Sequence, residues 1–547
     1  MKVSHTLHII ALVCTALVSL CCSNASGAEH AVQSPDGKVT VRLVCEDSRL
    51  SYSLVWNERA IFQNSALSLV PNAEYSVMGA ETSSIDTAWE TVWGQFSSVQ
   101  DHCEQLVLKV DVSGIQADLI CRVYNDGVGF RFVVPEQAIT TNKPVNFICE
   151  YHTTEPFKGW FPNGENEPIG PVPFGKRGSR KMPALIDAGR GVFLGLLESD
   201  LYTAKEFKTA QLSGARSESK ATLTRKGMDT PWRVILLGTQ AGTLLTSTVP
   251  LNLAAECKLK DTSWIKTGKS LWDWRVHGYQ AGDFTYGINT ASYMRFIDFA
   301  AENNIRYFLI DDSWFKKVEH GKLVIKPEVD LKQIMDYAKS KAVDVILYYD
   351  RHKGKSLGDN ELFKLYSEFG ATGIKYGFMG DNAQFTRTAV EETAANRLLV
   401  NFHDNPCPMT GVSRTLPNAI TREFCHCQQD CRKAFTPTAF LKMSMINALS
   451  GPLDQNNGAY GLNGINNGER QKGPLIKNSY NTTVVSETAR TLVISSGLII
   501  LPDAPEEYAK KADLFEFIRH MPATWDESRV VHSSIGKHIT TARRSGD

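Results

Sequence analysis

From Ser270 onward, short apolar stretches alternate with amphipathic ones, and this alternation constrains the fold more than any other feature of the sequence. Four of the apolar stretches end in ionisable residues: IRYFLIDDSW, VDVILYYDRH, TGIKYGFMGD and LLVNFHD. The stretches between them, such as NTASYMRFIDFAAEN, place apolar residues at helical spacing. Strands that alternate with helices of ~10–15 residues form parallel β/α units. About eight such strands over roughly 250 residues predict a closed (β/α)8 TIM-like barrel across residues 257–522.

An open doubly wound sheet is the alternative architecture for the same strands and helices. It is less favoured because no glycine-rich phosphate loop follows any of the predicted strands.

The preceding region, residues 29–256, has the pattern of an antiparallel β-structure. KVTVRLVCE, LSYSLVWN and LVLKVDVS alternate apolar and polar residues, and Asn125-Asp126-Gly127 is a typical hairpin turn. No long helical period interrupts these stretches. This succession of short strands and turns predicts an N-terminal β-sandwich.

The two ends of the chain carry separate predictions. Residues 1–28 have a basic start, an apolar run and small residues, which predicts a signal peptide and an exported protein. A lipid anchor at Cys21 or Cys22 is an alternative, although Leu20 is larger than such signals prefer. No later stretch is long and apolar enough to predict a transmembrane segment. Residues 523–547 predict the start of a C-terminal β-domain that is truncated, because the strand HITTARR has no evident partner.

The net charge of the chain and the carboxylates that follow its predicted strands both limit the possible functions. The chain has 59 basic and 59 acidic residues, which gives no basic surface for nucleic acid. Carboxylates follow six predicted barrel strands, where the chemistry of a β/α barrel is located: Asp273, Asp311, Asp350, Asp404, Glu423 and Asp503. A rim of carboxylates with nearby aromatic residues suits either a carbohydrate or a Ca²⁺ ion. Each aromatic residue taken singly is more typical of a core position.

Several long motifs resemble glycoside hydrolase family 97, a family of exported α-glucosidases and α-galactosidases. They are LLVNFHDNPCPMTGVSRTLPNAITRE, SGPLDQNNGAYG, LPDAPEEY, MPATWDES and GIKYGFMGDNAQ. The resemblance covers essentially the whole chain after the signal region. It implies a sandwich, a barrel, a C-terminal β-domain, an oligosaccharide substrate and a Ca²⁺ cofactor beside the sugar site.

The resemblance also implies catalytic positions in this chain. The nucleophile of retaining members matches Gly377, which has no side chain for that role. The base of inverting members matches Asp404, and a second position after the third strand matches the region of Asp350. The general acid matches Gln429, with Asp430 adjacent to it.

A metal site follows from the same comparison of motifs. The family's calcium ligand after the sixth strand matches Glu423, and Asp404 is expected to share the ion. A further ligand supplied by the sandwich falls at Glu165 or Glu167.

The resemblance therefore implies a glycosidase of α-linked sugars that inverts configuration if it is active. Four residues are expected to bind the sugar: Trp274, Asp311, Asp312 and His403. The alternative is a catalytically impaired carbohydrate-binding protein on the same scaffold, since an amide at position 429 cannot act as a general acid.

Overall fold

The computed structural model describes residues 28–137, 142–354, 357–425, 436–462 and 482–546. Across these ranges, no helix is long and apolar enough to cross a membrane.

The N-terminal part is a sandwich of two antiparallel sheets, as the alternating pattern predicts. The first sheet has eight strands, in spatial order Ala28–Gln33, Val39–Glu46, Arg49–Trp56, Arg59–Ser68, Lys143–Glu150, Arg216–Leu223, Gln211–Ser213 and Ser179–Lys181. The second has ten, in the order Asn166–Pro173, Lys158–Asn163, Ala184–Gly189, Val192–Ser199, Trp232–Gly238, Gly127–Val134, Ile115–Tyr124, Ser98–Val112 and Tyr75–Glu90, with Met228–Asp229 beside Gly127–Val134.

Aromatic side chains from the two sheets meet in the sandwich core. The rings of Tyr52 and Phe130 lie 4.8 Å apart, and those of Phe132 and Phe147 lie 5.6 Å apart. All four are fully buried. Such contacts exist because alternate residues of each strand face inward.

The central part is a parallel sheet curved into a nearly closed barrel. Its strands are β1 (Gly268–Trp272), β2 (Tyr307–Ile310), β3 (Asp344–Asp350), β4 (Gly373–Gly377), β5 (Leu399–Phe402), β6 (Ala419–Arg422) and β7 (Leu498–Leu501). Their spatial order is β6-β5-β4-β3-β2-β1-β7, so consecutive strands are neighbours until the sheet closes. The strands are buried except at the first residue of β1, β3 and β6, as expected where both faces are covered.

Helices surround the barrel strands, and side chains cap most of the longer ones. Asn289, Asp330, Asn382 and Thr483 each accept a hydrogen bond from a backbone N–H of the first helical turn. The helices are Thr290–Glu302, Leu331–Ser340, Asp359–Phe369, Ala383–Ala395, Val412–Thr415, Pro437–Ile446, Val484–Val493, Pro505–Ala509 and Ala512–His520. Two-stranded hairpins lie at Gln280–Ala281 with Phe284–Thr285, and at Phe315–Glu319 with Lys322–Ile325.

The described part of the barrel sheet has seven strands rather than the predicted eight. An irregular segment around Leu453 and Asp454 occupies the gap between β6 and β7. The Leu453 N–H donates to Ser495 O at 3.0 Å, and the Asp454 N–H donates to Arg422 O at 2.7 Å. This segment therefore brings Asp454 into the barrel beside β6.

One buried and one half-buried arginine of the barrel attach it to the sandwich. Arg387 donates to the carbonyl oxygens of Leu201, Ala204 and Phe207. Arg414 donates to three carbonyls in the segment 251–254. These hydrogen bonds hold residues 201–207 and 251–254 in place against the barrel.

The C-terminal strand His538–Arg544, which seemed to lack a partner, pairs with Glu527–Ser534 in an antiparallel hairpin. The hairpin packs on the short helix Ala241–Thr246 that follows the sandwich. Its Ser533 hydroxyl accepts a hydrogen bond from the Gly242 N–H at 2.9 Å.

Candidate active site

The carboxyl ends of β4, β5 and β6 place a glycine, a histidine and two carboxylates next to one another. Gly377 ends β4, His403 and Asp404 follow β5, and Glu423 follows β6. The Asp404 N–H donates to Glu423 Oε2 at 2.8 Å. Parallel strands bring these positions together because their carboxyl ends share one edge of the barrel.

His403 lies between two buried carboxylates. Its Nδ1 is 3.0 Å from Glu423 Oε2, and its Nε2 is 2.7 Å from Asp454 Oδ2. Burial would lower the pKa of His403, but the negative charges of Glu423 and Asp454 outweigh it and raise the pKa to about 9. The ring is therefore positively charged at neutral pH, with both nitrogens donating.

Asp404 occupies space that a side chain on residue 377 would need. A Cβ at Gly377 would lie 2.2 Å from the Tyr348 hydroxyl and 2.8 Å from Asp404 Oδ2. The same Oδ2 accepts a hydrogen bond from the Phe378 N–H at 2.9 Å. Burial and the charge of Glu423 raise the pKa of Asp404, which suits a general base.

The backbone around Asp404 is strained. Phe378, Asp404 and Asn405 have φ values of 60°, 62° and 59°, in the left-handed region that non-glycine residues rarely adopt. Such strain clusters at functional sites, where surrounding contacts hold it in place.

A sandwich loop completes a cluster of three carboxylates. One ligand-type oxygen from each of Glu165, Asp404 and Glu423 lies within 4.8 Å of the others. Partial burial, followed by the charges of Glu423 and Asp404, raises the pKa of Glu165 to about 7. Glu167, the other predicted candidate, is not in this cluster, because its carboxylate pairs with Lys442 at 2.6 Å.

A buried ion pair joins β4 to the residue that follows β2. Lys375 Nζ on β4 donates to Asp311 Oδ2 at 2.6 Å, and the Trp272 indole N–H donates to the same oxygen at 2.5 Å. Burial would raise the pKa of Asp311, but Lys375 and these hydrogen bonds lower it to about 2. Asp311 is therefore a fixed negative charge and only 3% exposed.

The remaining predicted site residues lie nearer the edge of the barrel. Asp350 accepts hydrogen bonds from the N–H groups of His352 and Lys353, so it caps the loop after β3. Asp312 pairs with Lys353 Nζ at 2.5 Å. Trp274 is half-buried, with the Arg275 guanidinium 5.8 Å from its ring centre. Gln429 and Asp430, the predicted acid positions, lie outside the described residues.

Sequence reasoning did not assign Lys375 or Asp454 to the site. Lys375 lies within the apolar strand GIKYG, where a lysine at a fully buried position is itself a signal of function or pairing. Asp454 belongs to SGPLDQNNGAYG, which identified the family without indicating a role. Six other aromatic residues on or beside the barrel strands are buried, namely Trp272, Tyr307, Trp314, Tyr348, Tyr349 and Tyr376.

Comparison with known proteins agrees with this architecture. The family profile described as "Glycosyl-hydrolase 97 N-terminal" matches residues 32–255, and the profile "Glycoside hydrolase 97" matches residues 271–425. The sandwich, the barrel and its carboxylate-lined rim define a glycosidase. The chain belongs to glycoside hydrolase family 97.

Sequence identity to individual curated relatives is low. The chain is 27% identical over 580 aligned residues to the "Retaining alpha-galactosidase" of Bacteroides thetaiotaomicron, covering 95% of this chain and 86% of that protein. It is 25% identical to the "Probable retaining alpha-galactosidase" of Streptomyces bingchenggensis, covering 79% of this chain and 67% of that protein.

Solved structures share the fold. A family 97 enzyme from Pseudoalteromonas sp. strain K8, in complex with acarbose, matches with a TM-score of 0.83 and 23% identity, covering 95% of this chain and 87% of that one. A β-arabinopyranosidase matches with a TM-score of 0.79 and 20% identity, covering 94% and 89% of the two chains.

Proposed function

We propose that this protein hydrolyses α-glycosidic bonds of galactosides or glucosides and inverts the anomeric configuration. One observation carries this proposal. Gly377 has no side chain, and the Asp404 carboxylate lies directly beside it at the barrel rim. The galactoside option is supported by the names of the two curated relatives. The glucoside option is supported by the motifs that resemble the family.

The missing side chain at Gly377, rather than the position of Asp404, supports a base that activates water. An aspartate at position 377 would carry its oxygens about 2.4 Å beyond Cβ by ordinary bond lengths. Asp404 Oδ2 instead lies 2.8 Å from where that Cβ would be. The Asp404 carboxylate therefore occupies part of the space of a side chain at position 377. In an inverting reaction, it would activate the attacking water.

The names of the curated relatives conflict with inversion, because both are called retaining. In this chain retention would require a nucleophile other than residue 377, since glycine offers none. Measurement of the first-formed anomer distinguishes the two outcomes.

The buried charges around Asp404 have positioning roles in this proposal. His403 carries a positive charge between Glu423 and Asp454, so it can donate to a sugar hydroxyl only by exchanging one of these partners. Lys375 and Asp311 neutralise each other and hold β4 against the carboxyl end of β2. A rigid and charged site of this kind is preorganised to orient a polar sugar.

The carboxylate cluster fits a Ca²⁺ ion. Glu165, Asp404 and Glu423 provide hard oxygen ligands of the type that calcium prefers. Burial raises the pKa of Glu165, and the charges of Glu423 and Asp404 raise it further; a bound cation would relieve this repulsion. The ion would supply positive charge that stabilises negative charge developing at the site. Glu423 and Glu165 would hold it, and Asp404 would adjoin it.

The general acid is assigned to the segment of Gln429 and Asp430. Between these two, only Asp430 carries a proton that it can donate to the leaving oxygen. The exported location predicted from residues 1–28 remains part of the proposal, because it gives the protein access to extracellular oligosaccharides.

A carbohydrate-binding protein without turnover is the second candidate, favoured by the amide at the position of the family's acid. One experiment separates the two. The purified protein is assayed on aryl α-galactosides and α-glucosides with and without Ca²⁺, and sugar binding is measured by calorimetry.

We expect turnover that disappears in Asp404→Asn and persists in Asp336→Asn, a matched change on an exposed helix face. Aryl leaving groups need little acid assistance, so turnover is expected on them even if the acid is weak. Binding without any release of the aryl group would favour the carbohydrate-binding protein. Full activity in Asp404→Asn would refute the assigned base.

A further inference from the structure

The hydroxyl group of Tyr348, on β3, lies beside Gly377 and close to the Asp404 carboxylate. A Cβ at Gly377 would be 2.2 Å from the Tyr348 hydroxyl oxygen and 2.8 Å from Asp404 Oδ2. Because both oxygens are so near one point, they lie within about 5 Å of each other, a gap that one water molecule can bridge with two hydrogen bonds of ordinary length. Tyr348 and Asp404 can therefore contact the same water molecule.

The Tyr348 side chain is buried, yet its hydroxyl is left open for a hydrogen bond. Within the described part of the chain, other side chains donate to Tyr348 only at its backbone carbonyl oxygen, from Trp314 Nε1 at 2.8 Å and from the Tyr366 hydroxyl at 3.0 Å. Buried tyrosine hydroxyls usually have a partner, since an unsatisfied one costs free energy. The Tyr348 hydroxyl is thus available to a molecule bound at the barrel rim.

The surroundings of Tyr348 keep its hydroxyl neutral. Burial, followed by the charges of Asp404 and Asp311, raises the pKa of Tyr348 above its ordinary value. A few glycosidases use a tyrosine as the nucleophile, and a phenol attacks more readily once it is ionised. The carboxylates near Tyr348 oppose this ionisation, so they favour a hydrogen-bonding role over a covalent one.

We propose that Tyr348 is a catalytic residue that holds the attacking water together with Asp404, an inference that rests on the proposed inverting hydrolysis. The water donates one hydrogen to Asp404 Oδ2 and the other to the Tyr348 hydroxyl oxygen. A lone pair of the water oxygen is then directed at the anomeric carbon. A carboxylate alone would fix only one of the two hydrogens, so the second contact orients the water.

The bonds change in one displacement. The water oxygen forms a bond to the anomeric carbon while the glycosidic carbon–oxygen bond breaks, and Asp404 takes the proton that the water loses. The leaving oxygen keeps the bonding electron pair and is protonated by the general acid or, as an aryloxide, by solvent. Tyr348 is unchanged at the end of the step.

Tyr348→Phe tests this role, because it keeps the ring and removes only the hydroxyl. On aryl α-galactosides or α-glucosides we expect kcat to fall by roughly 10- to 100-fold, since a misplaced reacting group loses up to about that factor. KM should change by less than about threefold, because the lost contact is to water and not to the sugar. Thermal unfolding of the variant checks that the fold is kept.

Tyr307→Phe is the matched control. Tyr307 is a buried tyrosine at the first residue of β2, at the opposite end of the barrel from the rim, and its hydroxyl donates to Lys266 O at 2.8 Å. The control should keep the kcat of the unaltered protein. Unchanged kcat in Tyr348→Phe, or an equal fall of kcat in both variants, would overturn the proposal.

Leaving groups separate a role toward water from a role toward the leaving oxygen. The 4-nitrophenyl and phenyl glycosides differ in the acidity of the phenol that departs. Because Tyr348 acts on the water, Tyr348→Phe should lower kcat by a similar factor on both. A much larger loss on the phenyl glycoside would show that Tyr348 assists the leaving oxygen, and would overturn the assignment.

The unaltered protein separates failure of this inference from failure of the proposed function. No turnover, or release of the α-anomer first, would refute the inverting hydrolysis and this inference with it. Inverting turnover that does not depend on the Tyr348 hydroxyl would refute this inference alone.

A product complex gives a measurement that does not depend on any variant folding. The attacking water becomes O1 of the β-anomer, so crystals of the unaltered protein soaked with galactose or glucose should place this O1 within about 3.2 Å of both the Tyr348 hydroxyl and Asp404 Oδ2. A bound β-anomer whose O1 contacts only one of these oxygens, or neither, would contradict the proposal.

Discussion

Replacing Lys375 by methionine would leave Asp311 as a buried charge without its cationic partner. The two side chains are 6% and 4% exposed and lie 2.6 Å apart. Removing one member of such a pair typically costs about 3–5 kcal/mol. For a domain of this size, that corresponds to a fall of the unfolding midpoint by roughly 6–20 °C.

The pH dependence gives this prediction its direction. The pKa of Asp311 is held near 2, below its ordinary value of 3.8, so its ion pair contributes stability above pH 3.8 that is lost as pH falls through 2. This lowering of the pKa corresponds to about 2 kcal/mol of stability. In Lys375→Met the buried Asp311 protonates more readily. The variant should therefore approach the unaltered protein in stability as pH falls from 7 to 4.

Chemical denaturation followed by tryptophan fluorescence at pH 7, 5.5 and 4 measures this effect. Lys364→Met is the matched control, since its lysine is 74% exposed and lies 3.7 Å from Glu368 on a helix surface. We expect the control to change stability by less than about 0.5 kcal/mol. Equal loss in the two variants at pH 7, or a loss independent of pH, would refute the reasoning.

Three further predictions concern the rim. Gly377→Ala should lower activity and destabilise the fold by about 1–3 kcal/mol, because the new methyl group overlaps a buried tyrosine hydroxyl; unchanged kinetics would contradict the crowding. Asp454→Asn removes one carboxylate beside His403, and NMR titration should show the pKa of that histidine falling. Glu165→Gln should raise the Ca²⁺ concentration needed for half-maximal thermal stabilisation by tenfold or more, whereas Glu167→Gln, outside the cluster, should leave it unchanged.

Strand and helix alternation was enough to predict the barrel and to place Asp404 and Glu423 at one edge. Two strands that end in carboxylates must bring them together if the strands are parallel neighbours, and β5 and β6 are neighbours. The sandwich could be predicted in the same way. Alternating apolar residues along a strand indicate which of its faces packs into the core.

Contacts between distant parts of the chain could not be predicted from periodicity. Asp454 reaches His403 only because an irregular segment fills the gap beside β6, and irregular segments have no sequence period. The choice of Glu165 over Glu167 depends on how a sandwich loop docks over the barrel. The role of Lys375 could not be predicted because its partner Asp311 follows β2, two strands away from β4 in the sheet.

The anomeric configuration of the first product tests the central claim most directly. An aryl α-galactoside or α-glucoside is hydrolysed within the NMR tube, and the sugar H1 signals are followed before mutarotation mixes the anomers. Water activated by Asp404, with no nucleophile at Gly377, predicts that the β-anomer appears first. If the α-anomer appears first, the protein retains configuration, and Asp404 is not acting as the base of an inverting reaction.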